Sequence, residues 1–113
     1  VKNMVSSKAL AGEQLSAARL HLQKGELEKA LKYADEAFDI FLEKGERRPE
    51  EAAIVTCLVE VLAGLEQYGQ ALRVAKDGRE VFQEAGARRG EATALELVAS
   101  LCGTVGLVAQ AEQ

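Results

Sequence analysis

The chain has 113 residues, 48% of them apolar and 28% charged, which is the balance of one soluble globular domain and not of a disordered or fibrous chain. Its net charge of −4 and pI near 5.1 argue against a generic nucleic-acid or anionic-membrane surface, which needs a basic excess. Three Phe, two Tyr, no Trp and a single Pro beside many Ala, Leu, Glu, Lys and Gln make the chain all-helical by propensity, with a core of small and aliphatic side chains over which helices approach closely.

Residues 1–7 mix polar and apolar side chains without a period and read as a lead-in, in which Asn3, Ser6 or Ser7 can cap the helix that follows. The chain opens on Val1 without an initiator Met, as expected of a mature form or a fragment. From Lys8 to Lys24, Ala11, Leu15, Ala18 and Leu22 fall on one helical stripe with Leu10, Ala17 and His21 beside it, and Gly25 ends the helix. Glu26 to Lys44 carries Leu27, Ala30, Leu31, Ala34, Ala37, Phe38 and Phe41 at the spacing of an amphipathic helix. Gly45 is expected to close it as a left-handed C-terminal cap, and Pro49, Glu50 and Glu51 open the next helix with proline in the first turn and acids at the positive end of the dipole.

Glu50 to Leu65 places Val55, Leu58, Val59 and Leu62 inward, and after a turn at Glu66 to Gly69 the stretch Gln70 to Ala85 turns Ala71, Val74, Ala75, Gly78 and Phe82 inward. Gly78 weakens that helix, so a close helix contact is its expected reason. A second turn at Gly86 to Gly90 leads to a helix from Glu91 to Gly103 with Leu95, Val98, Ala99 and Cys102 inside, and a sixth helix is expected to begin at Leu107. The apolar runs are broken by Glu60 and by glycines long before the roughly 18 residues that a membrane span needs. Cys57 and Cys102 belong to no metal or redox motif and read as buried thiols of a reducing compartment, cytoplasm or organelle interior.

Ala30 to Glu50 recurs 41 positions later as Ala71 to Glu91. Ala30, Leu31, Ala34, Phe41, Glu43, Gly45, Arg47, Arg48 and Glu50 match Ala71, Leu72, Ala75, Phe82, Glu84, Gly86, Arg88, Arg89 and Glu91, and a third copy starts where Gly106 and Ala111 match Gly25 and Ala30. A fixed period of this size marks stacked supersecondary units, none of which buries its apolar face alone. The two turns after the matched helices are expected to superpose. The repeats run over residues 8–48, 49–89 and an incomplete 90–113, in a single domain of residues 8–113 after the lead-in.

Gly25, Leu27, Ala30, Ala34 and Ala37, then Tyr68, Ala71 and Ala75, then Gly106, Val108 and Ala111 together resemble the tetratricopeptide repeat (TPR) family, in the longer forty-odd-residue variety of kinesin light chains and of the polarity scaffolds that bind Gα subunits. The resemblance covers Lys8 to Gln113. It implies antiparallel helix-turn-helix repeats stacked as a short right-handed α-solenoid, with five helices and the start of a sixth. Small residues are also expected twelve positions before each signature alanine, and Ala18, Val59 and Ala99 stand there. Glu66 departs from the family's turn glycine, and Gly78 stands where Ala37 would repeat.

In such arrays the first helices line a concave groove, which the resemblance places on Leu15, Arg19 and Gln23, on Thr56, Glu60 and Gly64, and on Glu96, Ser100 and Thr104. The Lys and Asn clamp by which some relatives hold a carboxylate is absent, as is the asparagine ladder of the scaffolds. Arg47, Arg48, Arg88 and Arg89 form two matching pairs, expected either to pair with Glu50, Glu91 and neighbouring acids or to form a basic edge that grips carboxylates or phosphates. His21, the only histidine, reads as a hydrogen-bonded and partly buried side chain, since no second metal ligand has matching spacing. Leu95, Val98, Leu101 and Leu107 are expected to form a terminal apolar face that is covered in the working state, by further residues beyond Gln113 or by another subunit, because repeat arrays need a polar cap and none is written here.

The sequence therefore reads as a non-enzymatic protein–protein interaction module that binds a partner peptide or helix in its groove. The alternative is a small structural subunit, or a fragment of a longer solenoid, held permanently in a large assembly. Catalysis finds no foothold: no Ser/His/Asp set or phosphate loop is present, and no catalytic residue, cofactor or metal is expected. The expected partner is protein, as a peptide, helix or neighbouring subunit; nucleic acid, membrane insertion and a small-molecule ligand are not expected.

Overall fold

The computed structural model describes residues 7–111, and among these every regular element is helical. Five α-helices follow one another: α1 Ser7–Gln23, α2 Leu27–Lys44, α3 Ala52–Gly64, α4 Tyr68–Glu84 and α5 Arg88–Ala111, with a 3-10 turn Pro49–Glu51 leading into α3. The candidate caps Asn3 and Ser6 lie outside the described residues. Each helix packs mainly on its neighbours in the chain, and α3 also touches both α1 and α5. The molecule measures 58 × 34 × 17 Å, with a radius of gyration of 14.4 Å. That is slightly more extended than the roughly 13 Å of a globular domain of this length.

Small residues set the spacing of the layers. Ala18, Ala30, Ala37, Ala71 and Ala75 are fully buried, so α1/α2 and α3/α4 meet backbone close to backbone. Gly78 belongs to this series. A Cβ there would sit 3.0 Å from both methyl groups of Val55 on α3, which is the close contact that explains a glycine inside α4. The larger core residues are Phe41, Phe82, Leu58, Val55 and Val61, and the rings of Phe41 and Phe82 meet 5.2 Å apart between α2 and α4. Central α3 buries Ala52, Ile54, Val55, Cys57, Leu58, Val59, Val61 and Leu62, so it is apolar on nearly every side. We expect Ala30→Leu and Ala71→Leu each to destabilise the fold by about 1–3 kcal/mol through overpacking. Thermal melts that match the unmodified chain would contradict the close crossings.

Three of the four connections between the helices share one geometry. At Gly25, Glu66 and Gly86 the chain turns left-handed, with φ of 78°, 61° and 70°. Each of these residues donates its N–H to the carbonyl three residues back, and the next residue donates five back: Glu26 to His21, Gln67 to Leu62 and Ala87 to Phe82, at 2.8–2.9 Å. This is the Schellman closure, which satisfies carbonyls that a helix end leaves open. Glu66 adopts it in spite of its side chain, so the departure from glycine at that position leaves the turn intact.

The end of α2 differs, and it corrects two expectations. Gly45 is not a left-handed cap, since its φ is −66° and its ψ 149°. It is glycine for lack of room: a Cβ would overlap the Phe41 carbonyl, the Glu51 carboxylate and the Arg47 guanidinium. The left-handed residue here is Arg47, at φ 62°. The turn after α2 therefore does not superpose on the turn after α4, despite the matching residues. After α2 the chain is extended at Gly45 and Arg48, left-handed at Arg47 between them, and enters α3 through the Pro49 turn, whereas after α4 it closes at Gly86 and starts α5 at Arg88.

The sixth helix is also corrected. α5 is continuous from Arg88 to Ala111, through Gly103 and Gly106. Schellman closure at Gly25 and Glu66 is followed by a helix that packs back on its predecessor, whereas Gly106 stays helical and Leu107 onward prolongs α5 in line. Ala99 and Cys102, expected inside, are exposed, and Leu95 is 43% exposed, because no described helix follows to cover that side. Of the two thiols, Cys57 alone is buried.

Candidate functional site

Alternate helices α1, α3 and α5 carry the residues expected to line a groove. Arg19, Gln23, Glu60, Glu96 and Ser100 are exposed, while Thr56 and Thr104 are half-buried. The two threonines turn their hydroxyls onto their own helices, donating to the Ala52 carbonyl at 3.0 Å and to the Ser100 carbonyl at 3.1 Å. Both Arg19 of α1 and Glu60 of α3 act electrostatically on the Cys57 thiol of α3. Burial first, then Glu60, pushes that thiol up, and Arg19 opposes them. The charged members of the set are of mixed sign, Arg19 on α1 with Glu60 on α3 and Glu96 on α5.

Leu15 and Gly64, also expected in the groove, each meet other residues. Leu15 is half-buried and lines a cavity of about 170 Å³ between α1, the end of α2 and the Pro49 turn, with Ala11, Gly12, Ile40, Phe41 and Ile54. Gly64 is approached by Leu27 of α2, whose methyl carbons would lie 3.2 Å from a Cβ.

The arginine pairs do not form matching edges. Arg47 is half-buried and turned in: its guanidinium donates to the Phe41 carbonyl, to Gly45 O at 3.3 Å and to Leu42 O at 3.2 Å, and lies 5.2 Å from the centre of the Phe41 ring. It takes over the carbonyls that a Schellman turn would have closed. Arg48 pairs with Glu46, at 3.2 Å, and not with Glu50. Arg88 and Arg89 stand exposed in the first turn of α5, without an ion pair to any described residue. Arg47→Ala is expected to cost about 1 kcal/mol, given its partial exposure, and Arg88→Ala less than about 0.5 kcal/mol. Urea unfolding of the two variants checks this, and equal effects would contradict a capping role.

The link after α2 holds a feature that the repeat pattern did not predict. Glu51 Oε2 accepts from the N–H of Glu46 at 2.9 Å and of Arg48 at 3.2 Å, which fixes the side chain. Its Oε1 is buried without a hydrogen-bond partner and borders the same cavity. An acid three residues after the start of the turn at Arg48 was the available signal, since it is the spacing of a capping interaction.

His21 closes the α1/α2 turn. Its Nδ1 lies 2.8 Å from Glu26 Oε1, and its ring stacks on Tyr33 with centroids 5.4 Å apart and planes 2° from parallel. The hydrogen bond from His21 holds the Glu26 carboxyl below its ordinary range, with Lys29 at 3.6 Å assisting. Gln14 and Glu36 join the middles of the same two helices by a side-chain hydrogen bond. These contacts account for His21 as a structural group.

Within the terminal face, Leu101 is only 5% exposed and belongs to the core, so it is not part of an open surface. Leu95 remains open, Val98 is half-buried, and Leu107, at 68% the most exposed large apolar side chain among the described residues, stands about 120° around α5 from Leu95. A cleft of about 630 Å³ beside Leu95 and Val98 is bordered by Lys76, Arg79, Glu80, Gln83 and Glu84 of α4. No group of His, Cys, Asp and Glu among the described residues could hold a metal ion, and no described helix is long and apolar enough to cross a membrane. Comparison with protein-family models, with curated proteins and with solved structures finds no significant match.

Proposed function

We propose that the chain is a tetratricopeptide-like interaction module, without enzymatic activity, that holds a partner peptide or helix against the face formed by α1, α3 and α5. One observation carries the reading: Arg19, Gln23, Glu60, Glu96 and Ser100 stand exposed on three alternate helices that touch in turn. Side chains presented from successive rigid helices offer an extended partner several fixed contacts at little ordering cost. The mixed signs favour a partner that carries both charges over a uniformly acidic tail. The partner is protein, and no cofactor or nucleic acid has a part in this reading.

The experiment is affinity capture from the native source with the unmodified chain and with an Arg19→Ala, Glu60→Ala, Glu96→Ala variant, scored by mass spectrometry. Partners lost with the triple variant and kept with Arg48→Ala, Arg88→Ala support the groove. The reverse pattern moves the site to the arginines and overturns the reading. The open side of α5 favours a second reading, a subunit held in a lasting assembly.

A further inference from the structure

Repeat register shows what the outer side of α5 is missing. Val55, Leu58, Val59 and Leu62 of α3 correspond to Leu95, Val98, Ala99 and Cys102 of α5. In α3 these four positions are between 1% and 4% exposed, and Val55 is seated on Gly78 of α4. In α5 Val98 is half-buried and the other three are exposed. The same seat is thus covered in the middle of the molecule and open at its end. The residues that would have folded back over it prolong α5 instead.

The stripe is compatible with a second copy of itself. Leu95, Val98, Cys102 and Val105 recur at spacings of three, four and three, the a/d pattern of a helix-pair seam. That pattern is unchanged by reversal about position 100. An antiparallel second α5 sets Leu95 opposite Val105 of the other copy and Val98 opposite its Cys102. Self-complementarity of this kind is what a two-fold contact requires. Ala99 and Gly106 flank the seam, small and uncharged, so two backbones can approach. The α4 edge beside it carries both signs, Lys76 and Arg79 with Glu80 and Glu84, so a second copy does not meet a field of its own sign.

We propose that the chain self-associates through α5, a second copy docking antiparallel on the Leu95 to Val105 stripe about a two-fold axis at Ser100. This goes beyond the groove reading and uses a different face: Glu96 and Ser100 point about 100° or more away from the seam, so the groove stays free in the dimer. The stripe from Leu95 to Val105 spans about 15 Å of helix, at about 1.5 Å per residue, and buries well under the roughly 800 Å² per partner of a standard interface. The dimer is therefore weak, forming at about 10–100 µM.

Sedimentation equilibrium on the 113-residue chain from low to high micromolar concentration tests it. The weight-average mass should rise from 12.1 kDa toward twice that value. Leu95→Glu and Cys102→Glu lie at exposed positions, keep the helical spectrum, and should each hold the chain monomeric, whereas Leu107→Glu, off the seam, should not. Ala99→Cys in a Cys102→Ser background should cross-link to its own copy on oxidation, because the two-fold brings position 99 within about 3 Å of itself along the helix axis. A monomer throughout, a dimer that survives Leu95→Glu, or the absence of the Ala99→Cys cross-link overturns the proposal. None of these results touches the capture experiment, which reads groove residues, so the two readings fail separately.

Discussion

Phe82→Ala is expected to lower the unfolding free energy by about 3–5 kcal/mol. The Phe82 ring is fully buried and packs against Phe41, 5.2 Å away, with Gly90 beneath it. It joins α2, α4 and the start of α5, so no one helix can shift to fill the space it leaves without losing contact with the others. Against a total of about 5–15 kcal/mol for a small domain, the loss takes a third or more of the stability. The melting temperature should fall by roughly 12 °C or more at about 4 °C per kcal/mol. Guanidinium unfolding followed by circular dichroism measures it. A loss below about 1 kcal/mol would show that the site collapses and that the ring does not bridge the helices.

The second large effect has a sign opposite to what helix propensity gives. Gly90 is the third residue of α5, and Ala in place of Gly within a helix ordinarily gains about 0.5–1 kcal/mol. Here a Cβ would fall inside van der Waals contact of three atoms of the Phe82 ring, which Phe41 holds from the other side. Gly90→Ala is therefore expected to destabilise by about 1–3 kcal/mol. Shortening the ring should relieve it: in the Phe82→Leu background the same substitution should cost at least about 0.5 kcal/mol less, the coupling expected of two groups in contact. A Gly90→Ala variant that melts above the native chain would mean that α5 sits farther from α4 than the structure has it.

Helical class and most helix limits were legible because period and propensity agreed over long stretches. Ala30, Ala34, Ala37 and Phe41, and again Ala71, Ala75, Gly78 and Phe82, point to one side by spacing alone, and all eight are buried. Gly90 was read as a turn residue, since no local pattern tells a glycine that frees the backbone from one that makes room for a ring. The α2 end misled for a related reason: Gly45 and Gly86 occupy matching positions, but Arg47 reaches back to the open carbonyls and Glu51 holds the following N–H groups, so the backbone needs no left-handed glycine there. Gly103 and Gly106 failed as breakers. A glycine ends a helix where other packing rewards the turn, and after α5 nothing described packs back. Of the candidate site, exposure of Arg19, Gln23, Glu60, Glu96 and Ser100 followed from register, but the inward turn of Arg47 and the burial of Leu101 depend on contacts between helices distant in the chain.

Central α3 links two hairpins, α1 with α2 and α4 with α5, that otherwise meet chiefly at the Phe41–Phe82 contact and at the approach of α5 to the Pro49 turn. Cooperativity in the molecule therefore has a narrow passage. An opening that starts in one hairpin must cross α3 before the other registers it, so the chain can fray from either end while its centre stays closed. Amide protons of α3 exchange with solvent only when both halves have let go, and its protection reports the whole molecule where that of α1 or α5 reports one end.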